Sequence, residues 1–201
     1  MAPIINTGEL AIKGYQLIRA DRNVHGGGVA VYIKNEFQTT LFELTSNSES
    51  LFLKINNGKA HLFLLLVYRP PNDKDATLLP LLFDEVIKMV EAQNDYLVIC
   101  GDFNLPDINW TDLTCCGTYN ISLPFLSKVC DLGLEQHVFE PTHEQGNILD
   151  LIFTNKAIVT NVEVLDPLLS DHSIIVIHLN TLHQTKENEQ NTNFFVQRCR
   201  T

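Results

Sequence analysis

The longest notable apolar run in this chain, "LFLLLVY" at 62–68, falls far short of the roughly 18 residues that a membrane span needs. The opening residues, MAPIINTGEL, set no basic segment ahead of an apolar core, so no signal peptide is expected. Five cysteines (Cys100, Cys115, Cys116, Cys130, Cys199) are odd in number and form no CxxC pair. Free thiols in a reducing, intracellular compartment are expected, with nucleus and cytoplasm left open. Seven histidines without an HxxxH spacing argue against a structural zinc site. No sequence repeat is present. The triple glycine at 26–28 precedes a strand-like run and is not followed by GK[ST], which excludes a phosphate loop and leaves a hairpin or loop entry. A surplus of positive charge is also missing. Net charge is −10, and residues 97–180 hold eleven Asp or Glu against only Lys128 and Lys156. A nucleic-acid binder is expected to show a basic face. Acidic clusters instead attract divalent cations, or simply keep a surface solvated.

What is present is an ordinary globular composition, 45% hydrophobic and 19% charged over 201 residues, enough for one good-sized domain. Strand-like runs occur at 15–19, 29–34, 51–55, 61–68, 96–100, 149–154, 162–165 and 173–179. Leu79, Leu82, Phe83, Val86, Ile87 and Val90 make the apolar face of one helix, with Asp75 and Thr77 as caps. A second helix is predicted over 122–132, with Leu123, Leu126, Val129 and Cys130 on one side and Gly133 as its C-terminal stop. Strands outnumber helices, and the helices connect strands, which predicts a mixed α/β (α+β) sheet assembly with helices outside. Residues 181–201, polar and aperiodic, read as a tail or linker, and 1–12 as a short lead.

Chemistry-bearing residues sit at four strand ends. "LVYRPPN" ends at Tyr68 and Arg69. "YLVICGDFN" delivers Asp102 and Asn104, which would point the same way if the chain stays extended. "NILDLIFTN" sets Asp150 early in a strand, and "LLSDHSIIVIHL" sets Asp171 and His172 just before one. Each alone is also what a turn needs, since Gly, Asp, Asn and Pro all favour turns. Four together at strand termini, where ligand sites gather, point to a site.

The order Y-R-P-P, G-D-F-N, L-D-L-I-F-T-N, S-D-H resembles the endonuclease/exonuclease/phosphatase family, which includes pancreatic deoxyribonuclease and the abasic-site endonucleases. It is most similar to the endonuclease domain that precedes the reverse transcriptase of non-LTR retrotransposons, whose early strands "GYQLIRADRNVHGGGVAVYIK" (14–34) also resemble. The resemblance covers about residues 13–180. It implies a deoxyribonuclease-like two-sheet β-sandwich flanked by helices, and Mg²⁺- or Mn²⁺-dependent hydrolysis of a phosphodiester, with DNA as substrate. It implies that Asp102 positions or deprotonates the attacking water and that Asn104 orients water and phosphate. His172 faces the scissile phosphate with Asp150 as its carboxylate partner, Asp171 lies near metal and water, and Tyr68 bonds a phosphate oxygen. A reverse transcriptase domain in a longer parent product and no membrane partner are further implications. These residue types suit the chemistry: phosphodiester cleavage needs an oriented nucleophile and neutralised phosphoryl oxygens. A carboxylate beside a histidine fixes its tautomer and favours its charged form.

The family also begins with a strand bearing an Asn and a strand ending in a metal-binding Glu. Only MAPIINTGELAIK precedes the 14–34 stretch, and neither Asn6 nor Glu9 follows an apolar strand. The expectation is a domain lacking the first strands and a helix of its family, with weak Mg²⁺ binding and impaired or no nuclease activity. The alternatives are a non-catalytic remnant or interaction module of the same fold, and a phosphatase on it; fold alone does not separate these.

Overall fold

The computed structural model describes residues 8–22, 28–56, 61–90, 95–116, 121–168, 170–180 and 192–196. In chain order the elements are β1 (Tyr15–Asp21), β2 (Gly28–Lys34), β3 (Gln38–Phe42), β4 (Glu49–Asn56), β5 (His61–Tyr68), α1 (Leu78–Met89), β6 (Tyr96–Asp102) and the short β7 (Ile108–Asn109) and β8 (Thr114–Cys115). Then follow α2 (Ser122–Asp131), β9 (Glu135–Gln136), β10 (Asp150–Thr154), β11 (Val159–Leu165), β12 (Ile174–Leu179) and β13 (Thr192–Val196).

The principal sheet has the order β3-β4-β5-β6-β10-β9. Its central pair, β5 and β6, is parallel and joined through α1, as a parallel pair requires. Both strands are near-continuous apolar runs because both of their faces are covered. Odd-numbered residues such as Leu65, Val67, Leu97 and Ile99 face α1 and α2 over a core that holds Phe83, Phe103, Phe125 and Phe153. Even-numbered residues such as Leu64, Leu66, Val98 and Cys100 face Ile33, Ile175, Ile177 and Leu179. The opposing layer is made of two pieces: the hairpin β1–β2 and the antiparallel sheet β11-β12-β13. The result is the expected α+β sandwich with helices outside.

Sequence patterning located the long buried strands β4, β5, β6, β10 and β12. It missed the two-residue strands β7, β8 and β9 and also β3, an edge strand with three polar residues of five. It also placed no strand in the polar 181–201 stretch, where β13 pairs with β12 and carries the ordered fold past residue 180. In α2 the buried stripe is Ser122, Phe125, Leu126 and Val129, whereas Leu123 and Cys130, expected on that side, are exposed. The helix does stop at Gly133, which adopts φ +62°. Its N–H donates to the Cys130 carbonyl and the N–H of Leu134 to that of Val129, the paired bonds of a Schellman cap. Before α1, the Thr77 N–H and hydroxyl both donate to Asp75 Oδ1, at 2.8 and 2.6 Å. Asn6 and two of the three glycines lie outside the described residues; Gly28 opens β2 of the hairpin.

Candidate active site

Four residues lie side by side across the principal sheet: Glu49 opposite Tyr68, Tyr68 opposite Asp102, and Asp102 opposite Asp150. Directly opposed residues project to the same face. Here it is the even-numbered face of β5 and β6, toward the second layer. The row spans three strand spacings, about 14 Å, at the rim where the apolar core between the layers ends. Asp102, Asp150 and Tyr68 are nonetheless buried.

Gly101 makes the placement of Asp102 possible. It sits at φ +146°, and a Cβ there would lie 1.8 Å from the carbonyl oxygen of Val67. Only glycine lets β6 approach β5 so closely at this point. Beyond Asp102 the chain does not stay extended, the condition on which Asp102 and Asn104 would have pointed the same way. Asn104 adopts a left-handed φ of +51°, a conformation that asparagine tolerates better than most residues. Its N–H donates to Asp102 Oδ1 at 3.2 Å, and its Nδ2 donates to the Arg69 carbonyl at 2.7 Å. Arg69 answers by donating Nη1 to the carbonyl oxygens of Asn104 (3.1 Å) and Phe103 (3.4 Å), and Nη2 to that of Asp73. Burial pushes the Arg69 pKa down, while Asp73 and Asp102 hold it up.

His172 reaches this row from just before β12, in the other layer. Its Nδ1 stands 2.7 Å from Asp150 Oδ2, and the ring is only 3% exposed. The hydrogen bond with Asp150 raises its pKa, burial opposes, and the charges of Asp150, Asp102 and Asp171 add to the rise. Donor atoms of Asp102, Asp150 and His172 all lie within 4.8 Å of one another. A second cluster of the same width joins His172 to Asp171 and His143. The structure therefore brings Asp102, Asp150, Asp171 and His172 together, with Tyr68 beside Asp102 on the ladder and Asn104 bonded to Asp102 through its backbone. Glu9 lies in an exposed turn.

Four neighbours escaped the sequence reading. His143 packs edge-on to His172, with ring centroids 4.9 Å apart at 86°, and its Nε2 stands 3.5 Å from Asp171 Oδ2. Its Nδ1 accepts the N–H of Gln145 at 3.1 Å, which assigns the proton of the neutral ring to Nε2. Glu49 and Arg22 form a 2.6 Å ion pair at the other end of the row. Thr142, fully buried, accepts the N–H groups of Leu149 and Asp150 on one hydroxyl and fixes the entry to β10. The only sequence signal for His143 and Thr142 was a polar stretch just before the "NILDLIFTN" motif.

The family model described as endonuclease-reverse transcriptase matches residues 62–176. Among solved structures, the endonuclease domain of TRAS1, a telomere-specific non-LTR retrotransposon, aligns at 18% identity with a TM-score of 0.66, covering 85% of this chain and 80% of that one. An endonuclease/exonuclease/phosphatase family protein from Leptotrichia buccalis aligns at 16% identity and TM-score 0.59, covering 86% and 74%. The 3′ phosphatase NExo from Neisseria, bound to a product DNA hairpin, aligns at 16% and 0.55, covering 83% and 80%. Identities this low establish the fold. No curated protein matches the sequence.

Proposed function

Since the chain belongs to the endonuclease-reverse transcriptase family, within the endonuclease/exonuclease/phosphatase fold, we propose that it is a divalent-metal-dependent phosphodiester hydrolase acting on DNA, of the kind that accompanies a retroelement reverse transcriptase. The observation that carries this reading is the Asp150–His172 pair at 2.7 Å, set against Asp102 at the end of the neighbouring strand. A buried carboxylate holds the imidazole by Nδ1, which leaves Nε2 as the nitrogen for substrate. In its charged form the ring donates to a phosphate oxygen and offsets the negative charge that develops there. Asp102 takes the proton of the attacking water or orients it. Asn104, whose backbone is fixed by Arg69, is held beside it, and Tyr68 bonds a phosphate oxygen.

The donor set fits a hard divalent cation. Three carboxylates and two imidazoles line the two clusters, and the carboxylate oxygens are ligands of the kind Mg²⁺ and Mn²⁺ accept. Asp171 is the carboxylate that would hold the ion, since Asp150 is committed to His172 and Asp102 is more deeply buried. When bound, the ion neutralises phosphoryl oxygens.

A plasmid-nicking assay in Mg²⁺ and Mn²⁺ tests the proposal, run beside the double variant Asp102→Ala, His172→Ala. Slow nicking that the double variant abolishes supports it. A wild-type chain that nicks no faster than the variant, in either metal, would overturn it. The charge distribution favours a second reading, a phosphatase for small esters. Eleven acidic residues against two basic ones in 97–180 repel a polyanion more than a small substrate. Turnover of a sugar phosphate or nucleotide in the absence of plasmid nicking would select that reading.

A further inference from the structure

Two basic side chains from the second layer close on the row of the principal sheet, one at each end. His172 closes on Asp150 at 2.7 Å; Arg22, the residue after β1, closes on Glu49 at 2.6 Å. Tyr68 and Asp102 stand between them. The Arg22 guanidinium carbon also sits 5.0 Å above the centre of the Tyr68 ring. His172 is 3% exposed, whereas the Arg22 side chain is 36% exposed. Its pKa is raised by the Glu49 hydrogen bond, against slight desolvation.

We propose that Arg22 is a phosphate-binding residue of the substrate groove: it receives a backbone phosphate of DNA adjacent to the one attacked at Asp102 and His172. The inference rests on the hydrolase reading and adds the subsite that an acidic protein needs in order to hold a polyanion. A guanidinium carries five donors in a planar fork matched to phosphate. Glu49 takes Nε and the Tyr68 face supports the plane, so the group is oriented before substrate arrives. Tyr68 lies one strand spacing from Asp102, about 4.8 Å. That puts the guanidinium at the scale of the next phosphate along a strand and not at the reacting one.

Binding of a labelled DNA duplex to the full chain, measured in EDTA from about 50 to about 200 mM salt, tests this. Each phosphate contact contributes about 0.9 to the slope of log K against log salt. Arg22→Ala is expected to flatten the slope by about that amount, with the same loss on every duplex sequence. Arg22→Lys restores much of it, because the point charge remains. Lys128→Ala, which removes a cation paired with Asp84 between the helices, controls for net charge and leaves the slope unchanged. Arg22→Ala also strands Glu49, whose Oε2 is already buried without a hydrogen-bond partner among the described residues. The double variant Arg22→Ala, Glu49→Gln, which leaves no unpaired carboxylate behind, therefore serves as the second variant and is expected to flatten the slope as Arg22→Ala does. An unchanged slope in Arg22→Ala, or an equal change in Lys128→Ala, overturns the inference, as does a wild-type chain with no salt-dependent binding. The nicking assay with wild type decides the hydrolase reading separately.

Discussion

Arg69 and Asn104 hold each other by their backbones: the Asn104 amide donates to the Arg69 carbonyl at 2.7 Å, and the Arg69 guanidinium donates to the Asn104 carbonyl at 3.1 Å. The bracket clamps a left-handed residue directly after the strand that ends in Asp102. Asn104→Ala should therefore cost about 1–2 kcal/mol for the left-handed backbone and about 1 kcal/mol for the lost hydrogen bond. Asn104→Gly should recover the first part and not the second. Urea midpoints measure both, and an alanine variant as stable as the glycine variant would show that the turn is not strained. Arg69→Met should weaken nicking more than it weakens phosphate binding, because it loosens Asp102 and Asn104 without touching substrate.

His172 should titrate above the ordinary imidazole value of about 6.5, since the Asp150 hydrogen bond favours the charged ring over the cost of burial. Asp102, Asp171 and His143 face the same ring, and the two carboxylates push in the same direction as Asp150. The folded pKa is raised, so the pair's contribution to stability is fully present below about pH 6.5 and fades as pH rises through the folded value. NMR titration of His172 in wild type and Asp150→Asn checks this. The variant's His172 should titrate lower, and its melting temperature should depend less on pH above 6.5. Equal His172 titrations in the two proteins would mean that Asp150 does not govern the charge of the ring.

Gly101 and Gly133 both occupy positive φ, yet they should respond differently to alanine. At Gly101 the new Cβ meets the Val67 carbonyl oxygen at 1.8 Å, which only separation of β5 from β6 could relieve. At Gly133 nothing lies within 4 Å. Gly133→Ala should cost about 1 kcal/mol, the price of the left-handed conformation. Gly101→Ala should leave little folded protein. Similar melting temperatures for the two variants would rule out the close strand approach that sets Tyr68 beside Asp102.

Asp102, Asp150 and His172 were legible in the sequence because each stands where an apolar run begins or ends, and apolar runs are what patterning detects. Glu49 and Arg22 were not, although they belong to the same rim. Nothing in a strand's own pattern says which residue of the next strand lies opposite, so the Glu49–Tyr68 register exists only in the folded sheet. Arg22 lies ahead of the glycine run at 26–28 with no pattern of its own, and its role depends on the second layer folding over β4 and β5. Asn104 was assigned to the correct place, and its conformation was left open between an extended strand and a turn. Local alternation assumes a straight strand, whereas Arg69, 35 residues away, bends it.

The metal should bind weakly. Mg²⁺ sheds its waters reluctantly and needs several protein oxygens to be held well. Of the three carboxylates in the clusters, Asp150 is bound to His172, and Asp102 is 4% exposed. Asp171 is the more accessible one, its side chain 21% exposed, with His143 3.5 Å away to compete for its charge. Calorimetry should register little heat on adding Mg²⁺, and nicking should rise with Mg²⁺ through the millimolar range without saturating. Asp171→Asn should flatten that dependence while leaving the unfolding free energy within about 1 kcal/mol of wild type, as expected for a partly exposed site. His143→Phe, which removes the competing N–H but keeps an aromatic edge against His172, should shift the Mg²⁺ dependence to lower concentration. Saturation at micromolar Mg²⁺ would show instead that a stronger carboxylate holds the ion. Glu49, on the same rim with a buried oxygen, is then the residue to substitute, because loss of saturation in Glu49→Gln would place the metal at the Tyr68 end of the row and Asp171 outside it.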